Sequence, residues 1–233
     1  GEVDMSFFRP NKDWQRGDLK YIDSNGDGKI DPGSGTLKDH GDLKIIGNTT
    51  PRYSFGLNLH AGYKGFEVSA LFQGVMKRDF PMAASTYLFS GDSNFFKEHL
   101  DYYNVYNPGA YLPRLTKPDS PEYNANVGYN TSRYLLNAAY MRLKNLMISY
   151  NFQPKLVKKM GLENLKVYFT CDNLFTIDNL PDVFDPETSN QVNTWAGGSN
   201  ETAPGLTSPM KQNGNGKVYP LNKNYVFGIE FTF

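Results

Sequence analysis

The chain ends on Asn224–Phe233, NYVFGIEFTF. Tyr225, Phe227, Ile229, Phe231 and Phe233 fall on one side of an extended chain, and Val226, Gly228, Glu230 and Thr232 on the other. Period two is the pattern of a strand with one apolar face. A soluble chain rarely ends on so many large apolar side chains unless the strand is buried. The alternation recurs upstream. In Arg52–Tyr63, RYSFGLNLHAGY, the residues Tyr53, Phe55, Leu57, Leu59, Ala61 and Tyr63 share a face, against Ser54, Gly56, Asn58, His60 and Gly62. The turn Lys64-Gly65 follows. FEVSALFQGVM then sets Phe66, Val68, Ala70 and Phe72 against Glu67, Ser69, Leu71 and Gln73. Two alternating runs around a tight glycine turn predict a hairpin.

A further pair of strands lies at YMRLKNLMISYNF and LKVYFTCDNLF. In the first, Leu146, Ile148, Tyr150 and Phe152 alternate, but Met141 and Leu143 sit on the opposite parity. That change predicts a bulge near Lys144–Asn145. In the second, Leu165, Val167, Phe169 and Cys171 alternate with Lys166, Tyr168, Thr170 and Asp172. The linker QPKLVKKMGLEN reads as short and partly helical.

Five strands are therefore expected, at about 52–63, 65–76, 139–152, 165–176 and 223–233, close to the length of a membrane-crossing β-strand. Short turns follow the first and third strands. Long polar segments, 77–138 and 177–222, follow the second and fourth, an alternation typical of outer-membrane barrels. Residues 1–51 precede the first strand on the side of the long loops, so they are expected to be extracellular. Five strands cannot close a membrane barrel, which needs at least about eight and tolerates no open edge in lipid. The expected fold is all-β: the C-terminal five or so antiparallel strands of a larger transmembrane β-barrel, residues 52–233.

Composition agrees. Aromatics make up 15% of the 233 residues, with 16 Tyr and 16 Phe, and there are 22 Gly. Such chains favour β structure. The formal net charge is zero, which points away from nucleic acid. The single cysteine, Cys171, allows no internal disulfide framework and says nothing of compartment. No apolar run reaches the ~18 residues of a membrane helix. The first residues, GEVDMSFFRPNKDWQ, lack the apolar core of a signal peptide. Met5 is not at the start, which suggests a processed or partial chain.

Asp23–Asp31, DSNGDGKID, has the spacing of a calcium loop. Such loops place oxygen ligands at alternate positions and a glycine at the sharp turn. Asp23, Asn25, Asp27, the carbonyl of Lys29 and Asp31 take ligand positions, Gly28 takes the turn, and Ile30 can pack inward. Ser34 stands where a bidentate glutamate is expected, so Asp39 or Asp42 would have to curl back. The flanks GDLKYI and PGSGTLKDHGD do not read as helices, so a helix-opening sensor is not expected. The alternative is a metal-free turn in a polar loop.

Several segments together resemble the C-terminal region of SusC/RagA-type TonB-dependent outer-membrane transporters. They are GDLKYIDSNGDGKID, KIIGNTTPRYSFGLNLHAGYKGFEVSALFQG, YMRLKNLMISYNF, VYFTCDNLFT and YPLNKNYVFGIEFTF, in that order. The resemblance implies a 22-stranded barrel of the plugged kind, of which this chain supplies about the last five strands. It implies the outer membrane of a Gram-negative bacterium and a SusD-type surface lipoprotein as lid. It also implies import of oligosaccharides or peptides driven by TonB, which acts through an N-terminal part that also carries the plug. The family's ion loop commonly has an acidic residue at position 12; here the insertion PGSGTLK moves the acid to Asp39. The resemblance also gives the terminal Tyr225, Phe227, Phe231 and Phe233 a role as a barrel-assembly signal.

The expected metal ligands are thus Asp23, Asn25, Asp27, Lys29, Asp31 and Asp39, holding Ca2+ as a structural ion. Tyr102, Tyr103 and Tyr106 in DYYNVYNPGAY, with Trp195, are candidates for stacking on a sugar or packing a peptide. Against this, large loops need aromatics for their own small cores. Glu67, Gln73, Asp172 and Glu230 are expected to line a polar interior. His40, His60 and His99 are not at metal-pair spacing, and no Ser-His-Asp set is readable. GNGK at Gly214–Lys217 lacks the rest of a phosphate loop. Two rival classes are a soluble, calcium-bearing β-sandwich that binds carbohydrate, and a glycan-cleaving enzyme. The sandwich does not readily explain two loops of this length, and the enzyme needs paired carboxylates at set distances.

Overall fold

The computed structural model describes residues 3–7, 14–82, 97–117, 120–128, 131–188 and 220–233. Their contacts fall into two compact units. One is built from Asn48–Phe80, Leu136–Thr188 and Tyr219–Phe233, and the other mainly from Gly1–Gly47 and Pro81–Leu135.

The first unit holds the sheet. Its long strands are β1 (Ser54–Tyr63), β2 (Phe66–Val75), β3 (Tyr140–Asn151), β4 (Asn164–Asp172) and β5 (Asn224–Thr232). They lie in the order β1-β2-β3-β4-β5, each antiparallel to its neighbours. All five expected strands are present. The register carries the alternation across the whole sheet. Ala61 pairs with Val68, Val68 with Ile148, Ile148 with Phe169, and Phe169 with Phe227. One row along, Tyr63, Phe66, Tyr150, Val167 and Ile229 are likewise in line. The opposite face reads Gly62, Glu67, Ser149, Tyr168 and Gly228. One face is thus apolar over five strands, and the other is polar or small.

The apolar face is open. Phe66 is 57% exposed, Phe227 81%, Ile229 67% and Phe233 82%. Its rings pack on one another in tilted pairs: Phe66 lies 4.5 Å from Tyr150 and Phe169 lies 4.7 Å from Phe227, centroid to centroid. A β-sandwich would cover such a face with a second sheet. Among the described residues no second sheet covers it in that way. No helix of the described residues is long and apolar enough to cross a membrane.

Local chemistry sets the connections. Lys64 and Gly65 have φ of +48° and +91°, the left-handed pair of a two-residue I′ hairpin turn. Pro154–Lys159 forms a single short helix, α1, with proline in its first turn and Val157 buried. The expected bulge is present: Leu71 pairs with Asn145 and Phe72 with Leu143, so Lys144 is the extra residue. Leu143 and Leu146 therefore pair with Phe72 and Ala70, two residues of one face, despite their opposite parity in sequence. On the other side of β3 the expected strand 165–176 breaks. Asn173, at φ +52°, donates its N–H to the Lys144 carbonyl at 3.0 Å. Pairing with β3 resumes in the short strand Thr176–Asp178. A strand facing an extra residue cannot stay in step, so the break in β4 follows from the bulge.

The second unit is tied by polar contacts. Asp18 accepts bonds from Arg114 Nε at 2.6 Å, Asn126 Nδ2 at 2.8 Å and the Gln15 N–H at 2.8 Å. Leu19 N–H reaches Asn126 Oδ1, and the Tyr21 hydroxyl reaches the Ala125 carbonyl. Residues 15–21 are thereby stitched to 114 and 125–126, beside the buried Ala125 and Val127. Burial alone would push the Asp18 carboxyl up, but the bonds from Arg114, Asn126 and Gln15 outweigh it and hold it below its ordinary value.

A methyl group added at Gly74 would meet the Tyr140 backbone carbonyl and the Phe55 ring. Gly74→Ala should therefore destabilise the sheet by about 1–3 kcal/mol, read as a lower urea midpoint of the detergent-extracted protein. Asp18→Asn should cost about 1–3 kcal/mol by removing the anion on which Arg114 and Asn126 converge, read as faster amide exchange at Gln15 and Leu19. Because the folded Asp18 carboxyl is depressed below 3.8, its contribution is present above that value and lost as pH falls through the lower folded one. The same amides should remain protected at about pH 5.

Candidate functional site

The ion-type loop is built by its own side chains. Gly28, at φ +83°, makes the sharp turn, and Ile30 beside it is 2% exposed. Asp23 accepts the N–H groups of Gly26 at 2.6 Å and Gly28 at 2.9 Å. Asn25 Oδ1 accepts Asp27 N–H at 3.0 Å, Asp27 Oδ1 accepts Lys29 N–H at 2.8 Å, and Asp31 Oδ1 accepts Gly33 N–H at 2.8 Å. Asp4 pairs with Lys29, and its carbonyl takes the Ile30 N–H at 2.8 Å.

The expected closing residue, Asp39, is elsewhere. Its carboxylate caps Ser34 N–H at 2.9 Å, and hydrogen bonds from Ser34 hold its carboxyl below the usual range. The acid at the loop's mouth is Asp42, whose two oxygens accept the N–H groups of Ser24 and Asp31. Asp42 N–H in turn donates to the Asp31 carbonyl at 2.8 Å. Three carboxylates and an amide suit a hard cation in kind. In the structure, however, they turn onto the loop's own N–H groups. Among the described residues no three acidic, histidine or cysteine side chains converge as a metal site.

The aromatic candidates separate. Tyr103 is half-buried, with its ring against Gly17, and serves the unit's own packing. Tyr102 is half-buried in a short parallel pairing with Leu112. Tyr106 is 94% exposed beside Val105 at 82%, on a turn closed by Asn107 N–H donating to the Asn104 carbonyl at 3.0 Å. The side chain of Asn104 accepts the Tyr106 N–H at 2.9 Å. Trp195 lies outside the described residues. Of the terminal aromatics, Tyr225 and Phe231 are 57% and 53% exposed, on the same open face as Phe227.

The polar face of the sheet carries a charge cluster that sequence reading missed. Arg142 donates Nη2 to Asp185 and Nη1 to Glu187, each at 2.7 Å, and Nε to Thr176 Oγ1 at 2.7 Å. Lys144 Nζ sits 2.8 Å from Glu187. Arg78 Nη2 donates to the Pro186 carbonyl at 3.0 Å. The Arg142 and Asp185 side chains are 3% and 7% exposed. Burial works to raise the Asp185 carboxyl, but the bond from Arg142 prevails and holds it below the ordinary range. The available signal was RLK in a strand together with Asp185-Pro186-Glu187 in a loop. Nothing local links the two, because 43 residues separate Arg142 from Asp185. Further along the same face Lys166 lies 3.9 Å from Glu67, and Asn145 donates to Asp172 at 2.8 Å. Among the described residues this face is a wall of paired charges and amides.

No family model matches the chain. TonB-dependent receptor P3 of Formosa agariphila is 30% identical over 167 residues, 72% of this chain and 15% of the relative. TonB-dependent receptor P26 of the same organism is 26% identical over 219 residues, 93% of this chain and 20% of the relative. Among solved structures, the RagAB peptide importer in its open-open state superposes with a TM-score of 0.53 at 25% identity, over 82% of this chain and 18% of that one. The chain thus spans a fifth or less of the length of the proteins it matches. Over that stretch, with its two-faced antiparallel sheet in the same fold, the chain belongs to the SusC/RagA-type TonB-dependent transporters.

Proposed function

We propose that this chain forms five adjacent wall strands of an importer in the outer membrane of a Gram-negative bacterium. The observation that carries the reading is the apolar face, open and continuous from Ala61 to Phe227 and backed by a polar face. Water would penalise so large an apolar surface at about 25 cal/mol per Å2. Lipid removes that penalty and demands the alternation seen here. The polar face then lines the lumen. The segments following β2 and β4 stand outside the cell, where a SusD-type lipoprotein lid and the substrate meet the barrel. The substrate is a peptide or oligosaccharide, and the likeness to a peptide importer favours the peptide. TonB engages a part of the protein that this chain does not include. Tyr106, exposed on its turn, is the aromatic group offered to substrate or lid, and Trp195 is a second candidate on its sequence alone. Tyr225, Phe227, Phe231 and Phe233 present the assembly signal.

Native extraction tests this. The protein should leave the outer-membrane fraction only with detergent, in a complex containing the plug and a surface lipoprotein, identified by mass spectrometry. A chain of 26.3 kDa that is soluble and folded without detergent would overturn the reading.

We further propose that Asp23, Asn25, Asp27, the Lys29 carbonyl and Asp31 hold one structural Ca2+, closed by Asp42 in place of Asp39. The support is the ligand-type spacing of the loop residues in the sequence and the position of Asp42, which bonds to Ser24 and Asp31 near the two ends of the loop. Calorimetric titration with Ca2+ should give one site. Asp27→Ala and Asp42→Ala should weaken it on the order of tenfold or more, with Asp39→Ala within about twofold. No calcium heat, or a larger loss in Asp39→Ala than in Asp42→Ala, would discard this assignment.

A further inference from the structure

After β4 the chain runs along the start of β3, where Thr176 pairs with Arg142 and Asp178 with Tyr140. It comes back to the sheet through Leu221 and Asn222 into β5. The chain on its way out and the chain on its way back meet at one carboxylate. Asp185 Oδ1 accepts the Glu187 N–H at 2.8 Å and the Thr188 N–H at 3.3 Å. Asp185 Oδ2 accepts Arg142 Nη2 at 2.7 Å and the backbone N–H of Leu221 at 3.3 Å. Asn173 Nδ2 adds a bond to the Asn222 carbonyl at 2.9 Å.

We propose that Arg142 is a positioning residue which, through Asp185, clasps the chain leaving β4 and the chain entering β5 to the same point on the polar wall. The argument is one of geometry. A guanidinium offers a flat fork of donors, and here it spans two carboxylates and a hydroxyl at once. Among the described residues Lys144 Nζ is paired with Glu187 and not with Asp185, so it does not hold the same carboxylate. The pair is nearly out of water, so removing either partner leaves an uncompensated charge or an unfilled fork. The Leu221 and Thr188 bonds, each 3.3 Å, are the long members of the set, and the oxygen that accepts Leu221 N–H is the one Arg142 holds. One ion pair therefore sets where the connection between β4 and β5 departs and where it returns. That this connection stands on the outer surface of an importer rests on the reading above; the clasp itself does not.

Hydrogen–deuterium exchange on the full-length, detergent-extracted protein tests it. In Arg142→Gln, exchange at Glu187, Thr188 and Leu221 should rise together by about tenfold, with the β1–β2 hairpin unchanged. Asp185→Asn, which keeps shape and removes charge, should do the same, and serves if Arg142→Gln does not fold. Arg142→Lys should restore part of the protection, and Lys144→Gln should leave Leu221 as in the parent. Leu221 unchanged in Asp185→Asn would overturn the proposal. So would loss of protection across all five strands at once, or equal effects of Lys144→Gln and Arg142→Gln. The readout is exchange and not import, so failure of the importer reading would leave this result standing.

Discussion

An antiparallel sheet with one face apolar must have that face out of water, and the other features of the sheet are arranged around the requirement. The face is made by register. Each strand alternates, but a shift of one residue in any pairing would send its apolar side chains to the polar side. The rows from Ala61 to Phe227 and from Tyr63 to Ile229 show that all four pairings are in step. The two-residue turn at Lys64-Gly65 fixes the first pairing locally. The short connection through α1 fixes the third, with Phe152 N–H on the Leu165 carbonyl at 3.0 Å.

The bulge at Lys144 has consequences on both sides. It lets Leu143 and Leu146 serve the same face, and so corrects a strand whose sequence changes parity. It also ends β4 at Asp172, because the Lys144 carbonyl takes the N–H of Asn173. The chain that leaves there carries Asp185 and Glu187 back to Arg142 and Lys144. A local irregularity in one strand thus coincides with the densest charge cluster on the polar face. Bulges next to functional regions commonly re-aim side chains in this way.

The other unit follows a different logic. Its segments have little regular structure, and their backbone groups are satisfied by side chains instead: Asp18 for 15–18, Asp101 for Tyr111, and Asp42 for the ends of the ion-type loop. Asn, Asp and Ser are suited to this because their short polar groups mimic a backbone partner. Several loop tyrosines are drawn into the same packing. Tyr123 and Tyr134 are buried and Tyr103 leans on Gly17, which leaves Tyr106 as the described aromatic most open to a ligand.

Alternation is a property of neighbours in sequence, so the sequence alone determined the five strands, the hairpin turn, the bulge and the division into an apolar and a polar face. The ion-type loop was also legible, since its ligand spacing spans nine residues. The tertiary structure decided what depends on distant partners. It placed Asp42, and not Asp39, across the loop's mouth. It took Tyr103 into a core. It joined Arg142 to Asp185 and Glu187 across a separation that no periodicity encodes. Periodicity reports which way a side chain points; which residue it meets is set by how strands and loops return in space.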